Sequence, residues 1–350
     1  MTEPFCFNYA SELFEKLTSR GGTGEAVYRG HGDSMYQLVP SFQREGYVNK
    51  FLSLDDASVL TASSSPFRAF YQTANQMGLS LPSVSNEKHQ NYTSESPIDA
   101  LMDVRDEFDG EYDADDLEIM AFAQHYGIPT PLLDWSRSPL VAMYFAASGA
   151  LDAFTGKARE YLSIDQVLDD QVPDSVRQKL SQYGEKKYLS VWQANSFGLN
   201  ELSRKRLLFE TDIDDKYSVC FFTPKNQGNQ NIIAQQGLFS IHRPIKMTGE
   251  FRYGETPAKS LSEVLDEHLK WLDAREGQSQ FLRESQQCGM LNEFKLPVSQ
   301  AVELLNLLGS CGIHAASVYP GHQGCAKRVR ERADISLIDR LFNPQASEQD

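Results

Sequence analysis

The chain is short of positive charge, of paired cysteines and of long apolar runs, and each shortage closes a class of function. Lysine and arginine total 33 against 48 aspartates and glutamates, a formal net charge of -15 over 350 residues. That balance gives no general attraction to a phosphate backbone or to an anionic membrane surface, so nucleic acid is not an expected partner. Only two basic clusters interrupt it. "SRKRLL" (203–208) is offset by the following "FETDIDD", and "CAKRVRER" (325–332) reads as the solvated face of a helix. The five cysteines, Cys6, Cys220, Cys288, Cys311 and Cys325, are odd in number and contain no Cys-x-x-Cys pair, which fits neither a disulfide framework nor a zinc site. Cys220, between Val219 and Phe221, reads as a buried, inert thiol. No apolar run approaches the roughly 18 residues of a membrane-spanning helix. The amino terminus "MTEPFCFNYASELFEKL" lacks the basic-then-apolar order of a secretory signal, so a cytoplasmic location is expected. Phosphate-loop, nucleophile-elbow and metal-helix motifs are missing as well, and no metal ligand set is expected.

What is present is an ordinary globular composition, 41% hydrophobic and 23% charged, in a chain long enough for one large domain. "NYASELFEKLTSRG" has helical spacing, and "GEAVYRGHG" gives a short strand over 26–28 that the glycines cut off. The stretch of about 55–116 is polar and turn-rich, and reads as a surface insertion. Its acidic end, "DVRDEFDGEYDADDLE" (103–118), is read as a solvated loop leading into a helix start, where acids are favoured. The alternative is a cation site. Residues 117–126 are helical, "TPLLDWS" is extended, and Ser138-Pro139 begins the helix "SPLVAMYFAASGA". "KKYLSVWQAN" and "SVCFFTPK" are strands, "NIIAQQGLFSIHRP" is a third strand candidate with a glycine inside it, and about 258–345 is mostly helical. Short strands and segregated helices indicate an α+β fold in one domain over 1–350, with core motifs at 26–32, 122–148 and 188–243.

Four stretches stand out: "VYRGHG" (27–32), "QHYGIPTPLLDWSRSPLVAMYFA" (124–146), "NIIAQQGLFSIH" (231–242) and "LLGSCGIHAASVYPGHQGCAKRV" (307–329). Together they resemble the FRG domain family, named for an aromatic-Arg-Gly motif that here is Tyr28-Arg29-Gly30. The family pattern Thr-Arg-Leu-Leu-Asp-Trp-Thr becomes Thr130-Pro131-Leu132-Leu133-Asp134-Trp135-Ser136, one guanidinium fewer. The pattern Pro-Asp-Leu-x-Gly becomes Pro320-Gly321-His322-Gln323-Gly324, one carboxylate fewer. The resemblance implies a bacterial or phage setting of defence or toxin function.

A weaker similarity is to the mono-ADP-ribosyltransferase fold, a split sheet with surrounding helices. It rests on Arg29 and on Ser136 followed by Ala142, Phe145 and Ala146. It implies that Arg29 grips a phosphate or ribose of NAD with its planar fork, and that a later-strand glutamate stabilises positive charge at the anomeric carbon. The matching strand here carries Gln235-Gln236-Gly237 and no acid. The expected site is therefore Arg29, His125, Asp134, Ser136 and Gln235, with Tyr28, Gly30, Trp135 and Gln236 at the ligand. Gly30 is expected to let the ligand approach Arg29. Two functions stay open. One is an enzyme-like pocket transferring or hydrolysing ADP-ribose, with NAD as substrate. The other is a non-catalytic module that recognises a nucleotide or a phage or host protein.

Overall fold

The computed structural model describes residues 3–19, 26–44, 59–93, 112–162, 172–209, 217–225, 229–244, 259–273 and 290–342. In chain order these form β1 (Phe5–Cys6), α1 (Ala10–Thr18), β2 (Ala26–His31), α2 (Val59–Gln76), α3 (Asn86–Thr93), α4 (Ala114–His125), β3 (Leu132–Ser136) and α5 (Pro139–Tyr161). There follow α6 (Asp174–Lys186), β4 (Tyr188–Asn195), α7 (Ser196–Phe209), β5 (Tyr217–Phe222), α8 (Gln230–Gln235), β6 (Gly237–Pro244) and α9 (Leu261–Asp273). The last elements are β7 (Leu291–Pro297), α10 (Ala301–Ser310), α11 (Ala315–Val318) and α12 (His322–Phe342). The seven strands make one sheet in the order β1-β7-β4-β2-β3-β6-β5. Only β1 and β7 run parallel; the other pairs are antiparallel. The fold is α+β.

Strand register sorts the core, because residues paired across antiparallel strands share a face. Tyr28, Leu189, Val191, Phe294 and Leu296 lie on one face and bury against α1, α5, α10 and α12. Val27, Trp192, Ala194 and Leu291 lie on the other, with Leu133, Trp135 and Leu238, and bury against α7 and α9. Where the first face continues onto β3 and β6, Leu132, Phe239 and Ile241 pack on Phe67, Tyr71, Tyr92, Ile119 and Met120 of α2–α4.

Local signals explain why these elements begin and end where they do. Ser138 caps α5, its hydroxyl accepting the Val141 N–H at 3.4 Å, with Pro139 in the first turn. Asp113 caps α4 by accepting the Asp116 N–H at 2.9 Å, and Asp116 returns the bond to the Asp113 N–H. The acidic run thus contributes a helix start at its described end, and residues 103–111 lie outside the described residues. Lys88, 5% exposed, binds both Asp116 (2.9 Å) and Asp113 (3.2 Å), tying α3 to α4.

Four expectations are corrected. β2 does not stop at Tyr28 but runs through Gly30 to His31. The described part of the polar stretch is helical, and its Phe67, Tyr71 and Tyr92 are buried in the third cluster; an average polarity hides aromatics spaced along one helix face. The largely helical C-terminal part supplies an inner strand, β7, between β1 and β4. Cys220 is exposed, because edge strand β5 alternates and turns Val219 and Phe221 inward instead. No helix of the described residues is long and apolar enough to cross a membrane.

Candidate functional site

The sheet has a weak seam. β2 and β4 pair over six residues, but β2 and β3 share one pair, Tyr28 with Ser136. Beyond it the strands part, and the Asp134 carbonyl has no β2 backbone donor opposite. Arg29 takes that role. Its Nη1 donates to the Asp134 carbonyl at 2.6 Å and meets the Asp134 carboxylate at 2.6 Å. Its Nε donates to His31 Nε2 at 3.0 Å. Arg29 Nη2 has no partner among the described residues. The Arg29 side chain is only 9% exposed, whereas that of Asp134 is 58% exposed, so the ion pair joins a buried cation to a solvated anion. Partial desolvation by the walls of the seam pushes the Asp134 carboxyl up, but the Arg29 guanidinium, helped by Arg44, outweighs this and holds its pKa below the usual value. Asp134 is therefore ionised at neutral pH.

His31 is 6% exposed. Burial, with Arg29 and Arg44 nearby, pushes its pKa down to about 3. A neutral ring with Nε2 accepting from Arg29 carries its proton on Nδ1.

Around the seam lies a cavity of about 180 Å³. Its polar wall is Arg29, Asp134, Ser136 and Gln235; Tyr28, Trp135, Phe145 and Phe239 supply aromatic surface. The sequence-predicted Arg29, Asp134, Ser136 and Gln235 thus border one space. His125 does not. It is exposed at the end of α4, against the Tyr126 ring at 5.1 Å and within reach of the Asn231 amide.

The other expected residues carry visible structural duties. The Ser136 hydroxyl donates to the Gln235 carbonyl at 2.6 Å and accepts the Ser138 N–H at 2.9 Å. The Gln235 amide donates to the Val318 carbonyl at 3.3 Å. Gln235 and Gln236 are not on a strand: Gln235 ends α8, and Gln236 caps it with φ +49, a left-handed turn. The Gln236 carbonyl accepts the Arg137 N–H at 3.0 Å, closing α8 onto the end of β3. The Trp135 indole donates to Ser240 at 2.8 Å and rests on Phe221. The Tyr28 phenol receives the Gln193 amide at 3.3 Å, and burial raises its pKa.

Gly30 and Gly32 are set by packing. A Cβ on Gly30 would lie 2.0 Å from the Ala142 carbonyl oxygen and 2.6 Å from the Ala146 nitrogen. A Cβ on Gly32 would lie 2.5 Å from the Gly149 carbonyl carbon. Gly30 borders the cavity, but what approaches it closely is the backbone of α5.

Three contributors escaped the sequence reading. His31 follows Arg29 by two, so strand alternation puts both on one face, a signal within reach once β2 is known to extend that far. Gln124 donates to the Asp134 carboxylate at 3.3 Å and receives the Thr130 hydroxyl, fastening α4 to the loop before β3. Tyr319 packs edge-on against Phe145 at 5.9 Å. Burial, with Asp134, Glu331 and Asp152 nearby, pushes its pKa up to about 12. Nothing local in the sequence marks it. Among the described residues no group of three or more His, Cys, Asp or Glu side chains is placed to hold a metal ion.

Residues 24–153 match the family model of the FRG domain. The match contains β2, β3 and α5 as far as residue 153, and stops short of α8, β6 and β7. No curated protein and no solved structure gives a significant match.

Proposed function

We propose that the FRG domain carried by this chain, completed by the elements around it, holds one end of a nucleotide-type ligand such as NAD or ADP-ribose in the cavity at the β2–β3 seam. The observation behind this is the Arg29–Asp134 pair on a wall otherwise built of aromatic rings and an amide. Few polar groups converging on an apolar, aromatic surface is the usual make-up of a small-molecule site. Arg29 Nη2 offers a donor to a ligand oxygen, the Asp134 carboxylate accepts from a hydroxyl, and the rings stack on a planar heterocycle. At about 180 Å³ the cavity fits a single ring-sized group, a ribose or a nicotinamide. The rest of a dinucleotide would extend outward past Asp134.

Recognition fits this arrangement better than chemistry. The Ser136 hydroxyl is engaged at both ends, His125 stands elsewhere, and the Arg29 charge is offset by Asp134. The catalytic reading keeps one favourable observation: Asp134 is ionised and borders the cavity, so it can oppose positive charge developing at an anomeric carbon. Under either reading a role in bacterial or phage defence, or as a toxin, follows from the family resemblance alone.

The test is a thermal-shift titration with NAD, ADP-ribose, ATP and nicotinamide, with nicotinamide release from NAD followed in parallel. A ligand that binds only the folded chain raises the midpoint with concentration. A shift with ADP-ribose or NAD without nicotinamide release supports recognition. Release that Asp134→Asn abolishes supports catalysis. No shift with any of the four compounds contradicts the pocket.

A further inference from the structure

The end of α4 carries an exposed group of rings. Tyr126, which caps the helix, is 60% exposed although three rings pack on it. Phe70 stacks on it at 5.7 Å, and Phe122 and His125 meet it edge-on, each at 5.1 Å. Phe70 in turn packs on the core cluster of α2–α4, so Tyr126 rests on a fixed ring. His125 is exposed beside it, and the Asn231 amide nitrogen lies against the His125 ring. Partial burial lowers the His125 pKa, so the ring is neutral at pH 7.

Two elements join these rings to the seam. In α4, Gln124 donates to the Asp134 carboxylate at 3.3 Å, and Tyr126 follows two residues later, within one helical turn. In α8, Ile232 lines the cavity while its neighbour Asn231 touches His125. Single exposed apolar side chains need no reason, but a cluster of rings with a polar rim marks an interaction surface. Its place beside the seam says what for. The cavity of about 180 Å³ takes one ring-sized group, and a dinucleotide has two ringed ends. The second end must lie outside, past the 58% exposed Asp134 side chain, which is where α4 and α8 set Tyr126 and His125.

We propose that Tyr126 and His125, with Asn231 at their edge, form an outer subsite on which an amine-bearing nucleobase of the adenine class stacks, resting on the reading of the seam cavity as the place of the ligand's other end. A base suits the rings because it presents a flat π-face. The Asn231 carbonyl oxygen accepts no hydrogen bond among the described residues, so it can take one from the exocyclic amine. The neutral His125 ring offers a phosphate no charge, so this surface selects the base and not the anionic part of the ligand. Because Tyr126 is already held by Phe70, stacking on it costs little ordering.

The experiment is calorimetric titration of the full-length chain with ADP-ribose, with its hypoxanthine analogue and with ribose 5-phosphate, which carries no base. Wild type should bind ADP-ribose more tightly than ribose 5-phosphate. Tyr126→Ala should weaken ADP-ribose about tenfold or more and leave ribose 5-phosphate unchanged. Tyr126→Phe, which keeps the ring, should restore the ADP-ribose affinity. The hypoxanthine analogue, with a carbonyl in place of the amine, should bind several-fold more weakly than ADP-ribose. Equal affinity for ADP-ribose and ribose 5-phosphate, or an unchanged ADP-ribose affinity in Tyr126→Ala, would overturn the outer subsite while leaving the seam cavity standing. No binding of either compound by wild type would instead bring down the seam reading, and the subsite with it. An equal loss of both compounds in Tyr126→Ala would show the end of α4 merely supporting the seam, and would overturn the stacking role. Equal affinity for the hypoxanthine analogue would overturn the assigned class of base.

Discussion

The two faces of β2 are built on opposite rules. Toward α5 it presents Tyr28, Gly30 and Gly32's approach to the helix, and there the limiting quantity is space: helix backbone sits where glycine Cβ atoms would be. Toward the other side it presents Arg29 and His31, and there the limiting quantity is partners: each nitrogen must be matched or left bare. Within this six-residue strand Ala26, Tyr28 and Gly30 serve packing, and of the alternate residues Val27 packs in the core while Arg29 and His31 carry the polar contacts. The aromatic-Arg-Gly motif joins a residue of each kind, so its parts need not share one reason.

The sharpest way to break this contrast is Gly30→Ala. The added methyl has only helix backbone to push against, and overpacking against backbone should cost about 3 kcal/mol or more. A denaturant midpoint near wild type would remove the packing explanation. Arg29→Ala should cost less, on the order of 1–3 kcal/mol, through its lost hydrogen bonds and buried stem. The ion pair itself adds little, about 0–1 kcal/mol, because the Asp134 carboxylate is largely solvated and can do without its partner. A loss as large as that of Gly30→Ala would place Arg29 with the packing residues.

His31 makes the polar side acid-sensitive. Its folded pKa, about 3, lies below the ordinary histidine value. Between the two the unfolded chain takes up a proton that the folded chain refuses, so stability falls as pH drops. The expected slope is about 1.4 kcal/mol per pH unit within that window, fading below it. His242, also buried and held near 4, adds a similar slope. His31→Gln should therefore flatten the decline between pH 6 and 4 without abolishing it, as read from urea midpoints. An unchanged slope would contradict the neutral, buried His31. The smallest effect expected is that of Trp135→Phe, about 1 kcal/mol, from the lost indole bond to Ser240. That change should leave ligand binding at the seam nearly intact if Trp135 serves mainly the core.

Much of this was legible in the residue order. The α5 start at Ser138-Pro139 and the strands at 188–195 and 217–222 follow from capping chemistry and alternation, which are local. β7 was not, because "LNEFKLP" is short and becomes a strand only through its pairing with β4. Gln235 and Gln236 misled for a related reason. An apolar run ending in glycine reads equally well as strand or helix, and the left-handed Gln236 turn that decides the matter shows no glycine at the turn itself. The grouping of Arg29 with Asp134 was foreseeable as two polar interruptions of apolar runs. What could not be foreseen is that they meet because β2 and β3 pair only once, leaving a carbonyl for Arg29 to satisfy. Tyr319 packs on Phe145, which borders the cavity, from far along the chain, so no local pattern could reveal it.

The most direct measurement is the ADP-ribose-induced rise in thermal midpoint for wild type, Arg29→Ala and Asp134→Asn, each compared with its own ligand-free midpoint. A cavity kept for a nucleotide-type ligand predicts a clear, concentration-dependent rise in wild type, none in Arg29→Ala and a reduced one in Asp134→Asn, with both variants folded. Equal rises in all three proteins, or no rise in wild type at any concentration, would contradict it.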